Sequence, residues 1–245
     1  MPELPEVETI KRQLARKLVG KKWSAKKIVG VRRRAKMLLV DFVDGSSLVF
    51  HLKLTGQLIF NGQPGRYTRQ VFNFSDGTRL VFNDKRKFGW FKLVSNVDSL
   101  KEIKKLGPEP FDVTPADFNK RLLVRRRAKI KSLLMDQTFI AGIGNIYADE
   151  ILFKAKVRPD RIASSLTKPE VKEIFSSIKK VLTAAIKAGG SSVEDYIDAE
   201  GKKGGYRKLH KVYQRTGQEC FKCATPIKRL KLGGRSSHFC PHCQI

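Results

Sequence analysis

The spacing of apolar residues changes along the chain, and the first pattern is that of a helix. Four apolar residues recur at helical spacing near the N-terminus: Val7, Ile10, Leu14 and Leu18. Pro5 stands in the first turn of this pattern and Gly20 follows its last turn. The sequence therefore predicts an amphipathic helix over residues 5–19.

Between residues 26 and 94 the apolar residues occur instead in short runs that fit β-strands. The runs are MLLVDF, SLVFHL, QLIF, VFNF, RLVF and WFKLV. Asp-Gly or Asn-Gly pairs stand at 44–45, 61–62 and 76–77, where they favour tight turns. Six or more such strands predict an antiparallel sandwich or barrel. The segment LGPEPF at 106–111 interrupts the pattern and indicates a domain boundary.

The rest of the chain up to residue 190 has a helical pattern. One helix is predicted to begin at Thr114-Pro115, a second covers 129–136, and a third opens at 142–145 and runs to about Lys154. The last helix has a capping box at 167–170 and an apolar stripe that ends before Gly189-Gly190. A loop rich in Gly and Lys is expected over 191–215.

All four cysteines lie close to the C-terminus, at Cys220, Cys223, Cys240 and Cys243. Two C-x2-C pairs at this spacing are typical of a four-cysteine zinc site. The alternative is two disulfides in a secreted protein, but the N-terminus MPELPEVET has no apolar stretch of the kind found in export signals. We therefore expect one structural zinc ion, which would stabilise a tail too small to form its own core.

Together these patterns predict an α+β chain of three domains. Residues 1–110 form an antiparallel β-sandwich with a flanking helix, 111–215 form a helical bundle, and 216–245 form a zinc-finger hairpin.

The charge of the chain indicates a polyanionic partner. Fifty Lys and Arg residues against 23 Asp and Glu residues give a formal net charge of +27 over 245 residues. Because 41% of the residues are hydrophobic, the chain is too apolar to be a disordered basic tail. The basic residues are spread along the whole chain, which argues against one membrane-binding helix. Nucleic acid is the expected partner.

The first residues include a candidate nucleophile. Removal of Met1 would leave Pro2 as the N-terminus, with a secondary amine. An α-amino group has a pKa of about 7.7–8.0, so a useful fraction is unprotonated at neutral pH. Such an amine can form a Schiff base with a sugar aldehyde carbon, and Glu3 and Glu6 beside it could move protons. Pro and Glu are also ordinary first-turn residues, and taken alone they favour that structural interpretation.

Three basic runs could contact phosphate, at 32–36, 84–89 and 125–129. A solvated charged surface is the usual explanation of any single run. Phe88 lies beside Arg86, and an apolar residue among cations can enter a base stack and replace an extruded base. The sequence context alone favours a strand-core position for Phe88. Residues 142–145 would offer backbone N–H groups to a phosphate at a helix start, a weak signal by itself.

Taken in order, these motifs resemble the bacterial formamidopyrimidine-DNA glycosylases. The shared motifs are MPELPEVET, RRRAK, HLKLTG, DKRKFG, LGPEP, MDQTFIAGIGNIYADE, PDR and the two C-x2-C pairs. They extend from Met1 to Cys243, nearly the whole chain. The resemblance implies a helix-two-turn-helix DNA-binding motif in the helical domain. It also implies base-excision repair of double-stranded DNA by a monomer in the bacterial cytoplasm, associated with the nucleoid.

The resemblance implies a role for each matching residue. Pro2 is similar to the nucleophile that attacks C1′ of the damaged nucleotide, and Glu3 to its acid/base partner. Lys36 is similar to a proton donor in β-elimination, and Arg235 to an arginine that contacts phosphates and takes part in δ-elimination. The loop at 201–206 is similar to one that closes over the flipped base.

The DNA contacts implied by the resemblance fall into two groups. Three residues would fill the vacated stack, and we call them the wedge residues: Leu54, Arg86 and Phe88. Three others would hold the DNA backbone in the helical domain: Arg127, Lys131 and Asn145.

The chain departs from the family pattern at several positions. The stretch between Gly20 and Lys36 is short, which indicates a trimmed N-terminal lobe. Lys53 stands where glycine is usual, Leu54 where methionine is usual, and Tyr67 where a DNA-contacting histidine is common. These departures bear on the range of lesions more than on the elimination chemistry.

Three hypotheses follow from the sequence. The first is a bifunctional DNA glycosylase and AP lyase for oxidised purines, such as 8-oxoguanine and formamidopyrimidines, which cuts the strand by β,δ-elimination. The second is a lyase that prefers oxidised pyrimidines or abasic sites because of the trimmed lobe. The third is a non-catalytic damage-binding protein, which would have no need for the amine of Pro2.

Overall fold

A computed structural model describes all 245 residues, and the chain divides into two compact units. The N-terminal unit comprises Met1–Lys105 and Ala185–Arg207, and the C-terminal unit comprises Leu106–Ala184 and Lys208–Ile245. No helix in the structure is long and apolar enough to cross a membrane.

The first element of the N-terminal unit is the predicted helix, α1, which spans Leu4–Leu18. The four apolar residues that predicted it are fully buried on one face. Burial of one such side chain contributes about 1.5–3 kcal/mol. The apolar face therefore fixes α1 on the rest of the unit.

Eight strands form two antiparallel sheets in this unit, and a short helix α2 (Lys101–Lys104) follows them. The strands are β1 (Lys22–Trp23), β2 (Lys26–Arg34), β3 (Met37–Phe42), β4 (Ser47–His51), β5 (Gly56–Phe60), β6 (Thr68–Asn73), β7 (Arg79–Asp84) and β8 (Trp90–Val94). The larger sheet has the order β1-β2-β3-β4-β8, and the smaller has the order β5-β7-β6. All six predicted strands are confirmed.

An aromatic cluster joins the two sheets. Phe50 of the larger sheet meets Phe72 and Phe82 of the smaller sheet at ring-centroid distances of 5.4 and 6.1 Å. Phe91 contacts the same two rings edge to face, at 5.2 and 5.9 Å. These geometries are the favoured ones for aromatic pairs. The predicted sandwich is therefore confirmed, with its core between the sheets.

A tight hairpin occupies the stretch that is short relative to the family pattern. Trp23 of β1 pairs with Lys26 of β2, and Ser24 and Ala25 form the connection. Both connecting residues have positive φ, of 45° and 64°. This is the geometry of a type I′ turn, which usually contains Asn-Gly. The short stretch thus folds as a two-stranded hairpin with a strained turn.

Residues 185–207 belong to the N-terminal unit, whereas the sequence analysis included them in a helical domain at 111–215. Their hydrogen bonds to α1 explain the difference. The Ser191 N–H donates to Glu6 Oε1 at 2.7 Å, and the Ala199 N–H donates to Gln13 Oε1 at 2.9 Å. Gly190 has a φ of +80°, and a Cβ there would lie 2.8 Å from Glu6 Oε1. Only glycine lets the chain approach α1 so closely.

The C-terminal unit contains the helical motif and the cysteine hairpin. Its elements are α3 (Pro115–Val124), α4 (Ile130–Met135), α5 (Asn145–Lys154), most of α6 (Lys168–Lys187), β9 (Lys228–Leu232) and β10 (Arg235–Phe239). Phe118 packs against Phe139 and Phe175, each at 5.5 Å between ring centroids. The helix predicted over 129–136 is confirmed to within one residue at each end, and the other predicted helices are confirmed at their predicted starts.

The cysteine hairpin packs directly on the helices. Phe153 of α5 belongs to one apolar cluster with Val212 and Ile227. The buried cysteines Cys220 and Cys240 complete that cluster. The hairpin is too small for a core of its own and shares one with α5.

Candidate active site and nucleic-acid interface

The N-terminal residues Pro2 and Glu3 lie at the buried start of α1. Glu3 is only 2% exposed and has an extended backbone, with φ −101° and ψ −170°. Its backbone N–H donates to Glu6 Oε2 at 2.7 Å. The other oxygen of Glu6 accepts the Ser191 N–H. Glu6 therefore bonds both to the residue that precedes α1 and to the segment 185–207. Pro2 is buried, whereas Met1 before it is 43% exposed.

Lys36 lies at the tip of the tight hairpin between β2 and β3. Arg34 pairs with Met37 there, and the intervening Ala35 has a φ of 53°. The Lys36 side chain is only 6% exposed, which is unusual for lysine. The turn therefore places Lys36 in a buried position.

A chain of hydrogen bonds connects α1 to this hairpin. Arg33 Nε donates to Glu8 Oε2 at 3.0 Å, and Arg33 Nη1 donates to the Ala35 carbonyl at 3.0 Å. Burial tends to raise the pKa of Glu8, but hydrogen bonds from Arg12, Lys11 and Arg33 outweigh it and hold that pKa below its usual value. Glu8 is therefore a carboxylate at neutral pH, and it joins the helix of Pro2 and Glu3 to the turn of Lys36.

The first wedge residue, Leu54, lies in a tight turn between β4 and β5. The Gly56 N–H donates to the Leu52 carbonyl at 2.9 Å and closes this turn. Lys53 has a φ of 51°, a left-handed conformation that explains why glycine is usual at this position. The Lys53 N–H donates to Nδ1 of His51 at 3.1 Å, which fixes the strained residue.

The other wedge residues, Arg86 and Phe88, project from the turn between β7 and β8. Phe88 is 55% exposed, so the alternative interpretation that it is a strand-core residue is wrong. The Arg86 guanidinium lies 5.1 Å from the centroid of its ring. An exposed aromatic ring beside a cation is suited to a stacked base.

Tyr67 is 45% exposed and lines a polar cavity of about 290 Å³ in the N-terminal unit. Arg66 lies 5.7 Å from the centroid of its ring. Lys85 and Asn83 also line the cavity. Tyr67 therefore lies within a cationic surface next to one of the basic runs.

In the C-terminal unit, Arg127 and Asn145 lie at two different turns. Arg127 is exposed in the turn between α3 and α4, and Asn145 is the first residue of α5, after Gly144. Gln137 organises the loop before α5, since its Oε1 accepts the Gly142 N–H and its Nε2 donates to the Ile143 carbonyl. Gln137 therefore fixes the loop that leads to Asn145.

Lys131 is not available for a phosphate, contrary to the expectation from the resemblance. Its side chain is 1% exposed, and its Nζ lies 2.7 Å from Asp149 Oδ1. The same Nζ donates to the Ser236 carbonyl and to Ser237 Oγ, both at 2.8 Å. Asp149 also accepts the backbone N–H of His238 at 2.9 Å. Lys131 therefore connects α4 and α5 to β10 instead of contacting DNA.

The four cysteines converge as the spacing predicted. All four sulfur atoms lie within 4.8 Å of one another, and no disulfide joins them. A tetrahedral zinc with Zn–S bonds of about 2.3 Å requires S–S distances of about 3.8 Å. The Cys220–Cys243 and Cys223–Cys240 distances are 3.9 and 3.5 Å. The residues fit one structural zinc ion.

Arg235 begins β10, after the two-residue turn at 233–234, and its side chain is exposed. It pairs with Leu232 in the β9–β10 ladder. The hairpin therefore presents Arg235 close to its tip, and the zinc knuckles fix the opposite end.

One buried acid in the C-terminal unit was not among the residues predicted from the sequence. Glu150 is 2% exposed and accepts backbone N–H groups from Lys211, Val212 and Tyr213. Burial raises its pKa, although the three backbone donors oppose the shift. Nothing in the sequence distinguishes Glu150 from a surface acid. Glu6, by contrast, was a candidate from the sequence, where it stands three residues after Glu3 at a helix start.

Three family models match the chain. They are the formamidopyrimidine-DNA glycosylase N-terminal domain over residues 21–91, the formamidopyrimidine-DNA glycosylase H2TH domain over 106–196, and the zinc finger found in FPG and IleRS over 217–245. The H2TH match covers the helix-two-turn-helix region that the resemblance implied.

Similar proteins align with the whole chain. Formamidopyrimidine-DNA glycosylases of Solibacter usitatus and Pelotomaculum thermopropionicum are each 42% identical, over 100% of this chain and 99% of theirs. The crystal structure of MutM (Fpg) from Thermus thermophilus is 37% identical, with a TM-score of 0.92 over 99% of this chain and 98% of that one. Lactococcus lactis Fpg bound to abasic-site DNA is 34% identical, with a TM-score of 0.91 over 99% of each chain. The chain belongs to the formamidopyrimidine-DNA glycosylase family.

Proposed function

We propose that this protein excises oxidised purines from double-stranded DNA and then cuts the strand as an AP lyase. The observation that carries the proposal is the arrangement of Pro2 and buried Glu3 at the start of α1. A structural neighbour, MutM in complex with DNA that contains carbocyclic 8-oxo-G, supports the choice of lesion. It is 34% identical over 99% of both chains, with a TM-score of 0.90.

The proposed reaction begins with the secondary amine of Pro2. Its lone pair attacks C1′ of the damaged nucleotide, the bond from C1′ to the base breaks, and the base leaves with a proton. Glu3 assists base loss and opening of the sugar ring by moving protons, and the product is a Schiff base between Pro2 and the sugar. Burial of Glu3 suits this role because it limits exchange with bulk water.

Strand cleavage follows from the Schiff base by two eliminations. In β-elimination a C2′ proton passes to a base, the C3′–O bond breaks and the 3′ phosphate leaves; Lys36 is the proposed proton donor to this leaving group. Loss of a C4′ proton then expels the 5′ phosphate in δ-elimination, in which Arg235 contacts the phosphates. Zinc supports this step indirectly because it stabilises the hairpin that carries Arg235.

Access to C1′ requires the nucleotide to leave the duplex. Unstacking costs a few kcal/mol, and the proposed compensation comes from phosphate contacts of the +27 chain and from the wedge residues. Tyr67, Arg127 and Asn145 are the further proposed backbone contacts, and residues 201–206 the proposed cover of the flipped base. The protein would act as a monomer in the bacterial cytoplasm, at the nucleoid.

A second candidate function is a lyase that prefers oxidised pyrimidines or abasic sites. The hairpin at 22–26 favours this alternative because it replaces a longer N-terminal lobe in the family pattern. Both functions share the chemistry of Pro2 and differ only in the lesion that is accepted.

Borohydride trapping tests the proposal and separates the alternatives. One duplex carries 8-oxoguanine opposite cytosine, a second carries an abasic site, and Pro2→Gly is the matched variant. We expect a covalent band on both duplexes that Pro2→Gly loses. Trapping on the abasic duplex alone would support the second candidate. No trapping on either, with Met1 confirmed absent, would leave only DNA binding.

A further inference from the structure

One buried carboxylate lies between the two turns that carry the wedge residues. Asp84 ends β7 and is 1% exposed. Its Oδ1 accepts the Thr55 hydroxyl at 2.5 Å, from the turn that contains Leu54. Its Oδ2 accepts the Gly89 N–H at 2.6 Å, from the turn that contains Arg86 and Phe88. Asp84 thus bonds to both turns.

Further contacts join the same two turns. The Arg86 N–H points at Thr55 Oγ1, 3.0 Å away, and at Asp84 Oδ1, 3.2 Å away. A Cβ at Gly89 would lie 3.0 Å from Asp84 Oδ2 and 3.3 Å from the His51 carbonyl. The turns are therefore packed too closely for either to shift alone.

We propose that Asp84 and Thr55 are positioning residues that make Leu54, Arg86 and Phe88 enter the base stack as one unit. This inference rests on the proposed function, because it assumes that the three side chains replace an extruded base. Three side chains held in one geometry lose little conformational freedom on insertion, whereas two independent turns would each have to be ordered by the DNA.

The chemistry of the network makes asparagine a sharp test at position 84. Asp84→Asn has the same shape but replaces one acceptor oxygen with an NH₂ group. If that group occupies the Oδ2 position it faces the Gly89 N–H, and if it occupies the Oδ1 position it faces the Arg86 N–H. Two donors cannot bond to each other, and only the Thr55 hydroxyl can turn to accept from the new NH₂ group. Asparagine therefore loses one backbone hydrogen bond of the network in either orientation.

Thr55 offers a matched pair of substitutions. Thr55→Val removes the hydroxyl and preserves the size of the side chain, whereas Thr55→Ser preserves the hydroxyl and loses a methyl group. If the hydrogen bond positions the wedge, serine restores the function and valine does not. Ser47→Ala is the control, because the Ser47 hydroxyl donates at 2.6 Å to Asp41, a carboxylate in the other sheet of the same unit.

The experiment compares two steps that depend differently on the wedge. The first is single-turnover excision of 8-oxoguanine from a duplex, with 2-aminopurine next to the lesion as a fluorescent reporter of unstacking. The second is borohydride trapping on a preformed abasic site, where no base has to be extracted. We expect Asp84→Asn and Thr55→Val to slow unstacking and excision by about ten- to hundredfold, the equivalent of one hydrogen bond to a charged group. The trapping yields of Asp84→Asn and Thr55→Val should stay within about threefold of wild type. Thr55→Ser and Ser47→Ala should stay within the same range in both assays.

Three results would overturn the inference. Wild-type unstacking rates in Thr55→Val and Asp84→Asn would show that the network does not position the wedge. Equal losses in excision and in trapping would indicate general damage to the unit, and so would a Thr55→Ser variant as slow as Thr55→Val. If wild type neither excises nor traps, the proposed function fails, but the fluorescence change on binding still tests the network.

Discussion

The N-terminal unit positions its functional residues on an apolar core, whereas the C-terminal unit positions Arg235 with charge and metal. Helix α1 is anchored by fully buried aliphatic residues, and the sheets beneath it share an aromatic cluster. In the hairpin, β9 is mostly exposed, and only the second half of β10 is buried. It is fixed by four cysteines and by the buried contact of Lys131 with Asp149 and β10. The two regions should therefore fail under different treatments.

The largest difference is expected when zinc is removed, by a chelator or by Cys243→Ser. Zinc contributes about 10–16 kcal/mol in isolated zinc-finger peptides at pH 7, so the hairpin should unfold and strand cutting should be lost. The N-terminal unit should survive. Both tryptophans of the chain, Trp23 and Trp90, lie in that unit, so their fluorescence reports on it alone. If zinc removal also abolished the unfolding transition seen by tryptophan fluorescence, the N-terminal unit would depend on the metal and the comparison would be wrong.

Disruption of the buried ion pair should have the next largest effect. Lys131→Met leaves the Asp149 charge buried without its partner, and we expect a loss of about 3–5 kcal/mol in unfolding free energy. Lys131→Met combined with Asp149→Leu should recover only part of that loss, because the Ser236 carbonyl and the His238 N–H stay without their partners. The control is Lys92→Met in the N-terminal unit, which removes an exposed pair with Glu102 and should cost less than about 1 kcal/mol. Chemical denaturation followed by circular dichroism measures all three. Equal losses of unfolding free energy in Lys131→Met and Lys92→Met would mean that the buried pair does not stabilise the hairpin.

Acid should affect the N-terminal unit through His51. Burial, followed by the charges of Lys53 and Lys36, lowers the pKa of His51 to about 3. Between that value and its ordinary pKa of 6.5, the unfolded state binds one more proton than the folded state. The contribution of His51 to stability is therefore present above pH 6.5 and is lost as the pH falls. We expect about 2–3 kcal/mol less stability at pH 4.5 than at pH 7 from this group.

His51→Asn provides the control for that pH dependence. Asparagine can still accept the Lys53 N–H through Oδ1, but it does not titrate. The variant should show a flatter decline of stability between pH 7 and pH 4.5, measured by tryptophan fluorescence during denaturation. An unchanged slope would assign the acid sensitivity to other groups.

The smallest expected effect is a gain in stability at the turn between β1 and β2. Ala25 has a φ of 64°, and a left-handed conformation costs a residue with a Cβ about 1–2 kcal/mol. Ala25→Gly should relieve part of this strain and raise the midpoint of the fluorescence-detected thermal transition by a few degrees. The C-terminal unit should not respond, and a lower midpoint would show that the turn is not strained.

The sequence predicted the features that depend on local pattern. Helical spacing gave α1, alternation and turn pairs gave the strands, and the two C-x2-C pairs gave the zinc site. It could not predict features that depend on distant partners. The sequence did not show that Lys131 pairs with Asp149, eighteen residues later, so a buried lysine was taken for a DNA contact. For the same reason, residues 185–207 were assigned to the helical domain although they bond to α1.

The measurement that tests the central claim most directly is the location of the trapped DNA on the chain. The reduced complex would be digested with trypsin and nuclease, and the modified peptide identified by mass spectrometry. If the amine of Pro2 is the nucleophile, the sugar remnant lies on the N-terminal nitrogen of peptide 2–11, which ends at the first lysine. A remnant on Lys36 or on any other lysine would contradict the account.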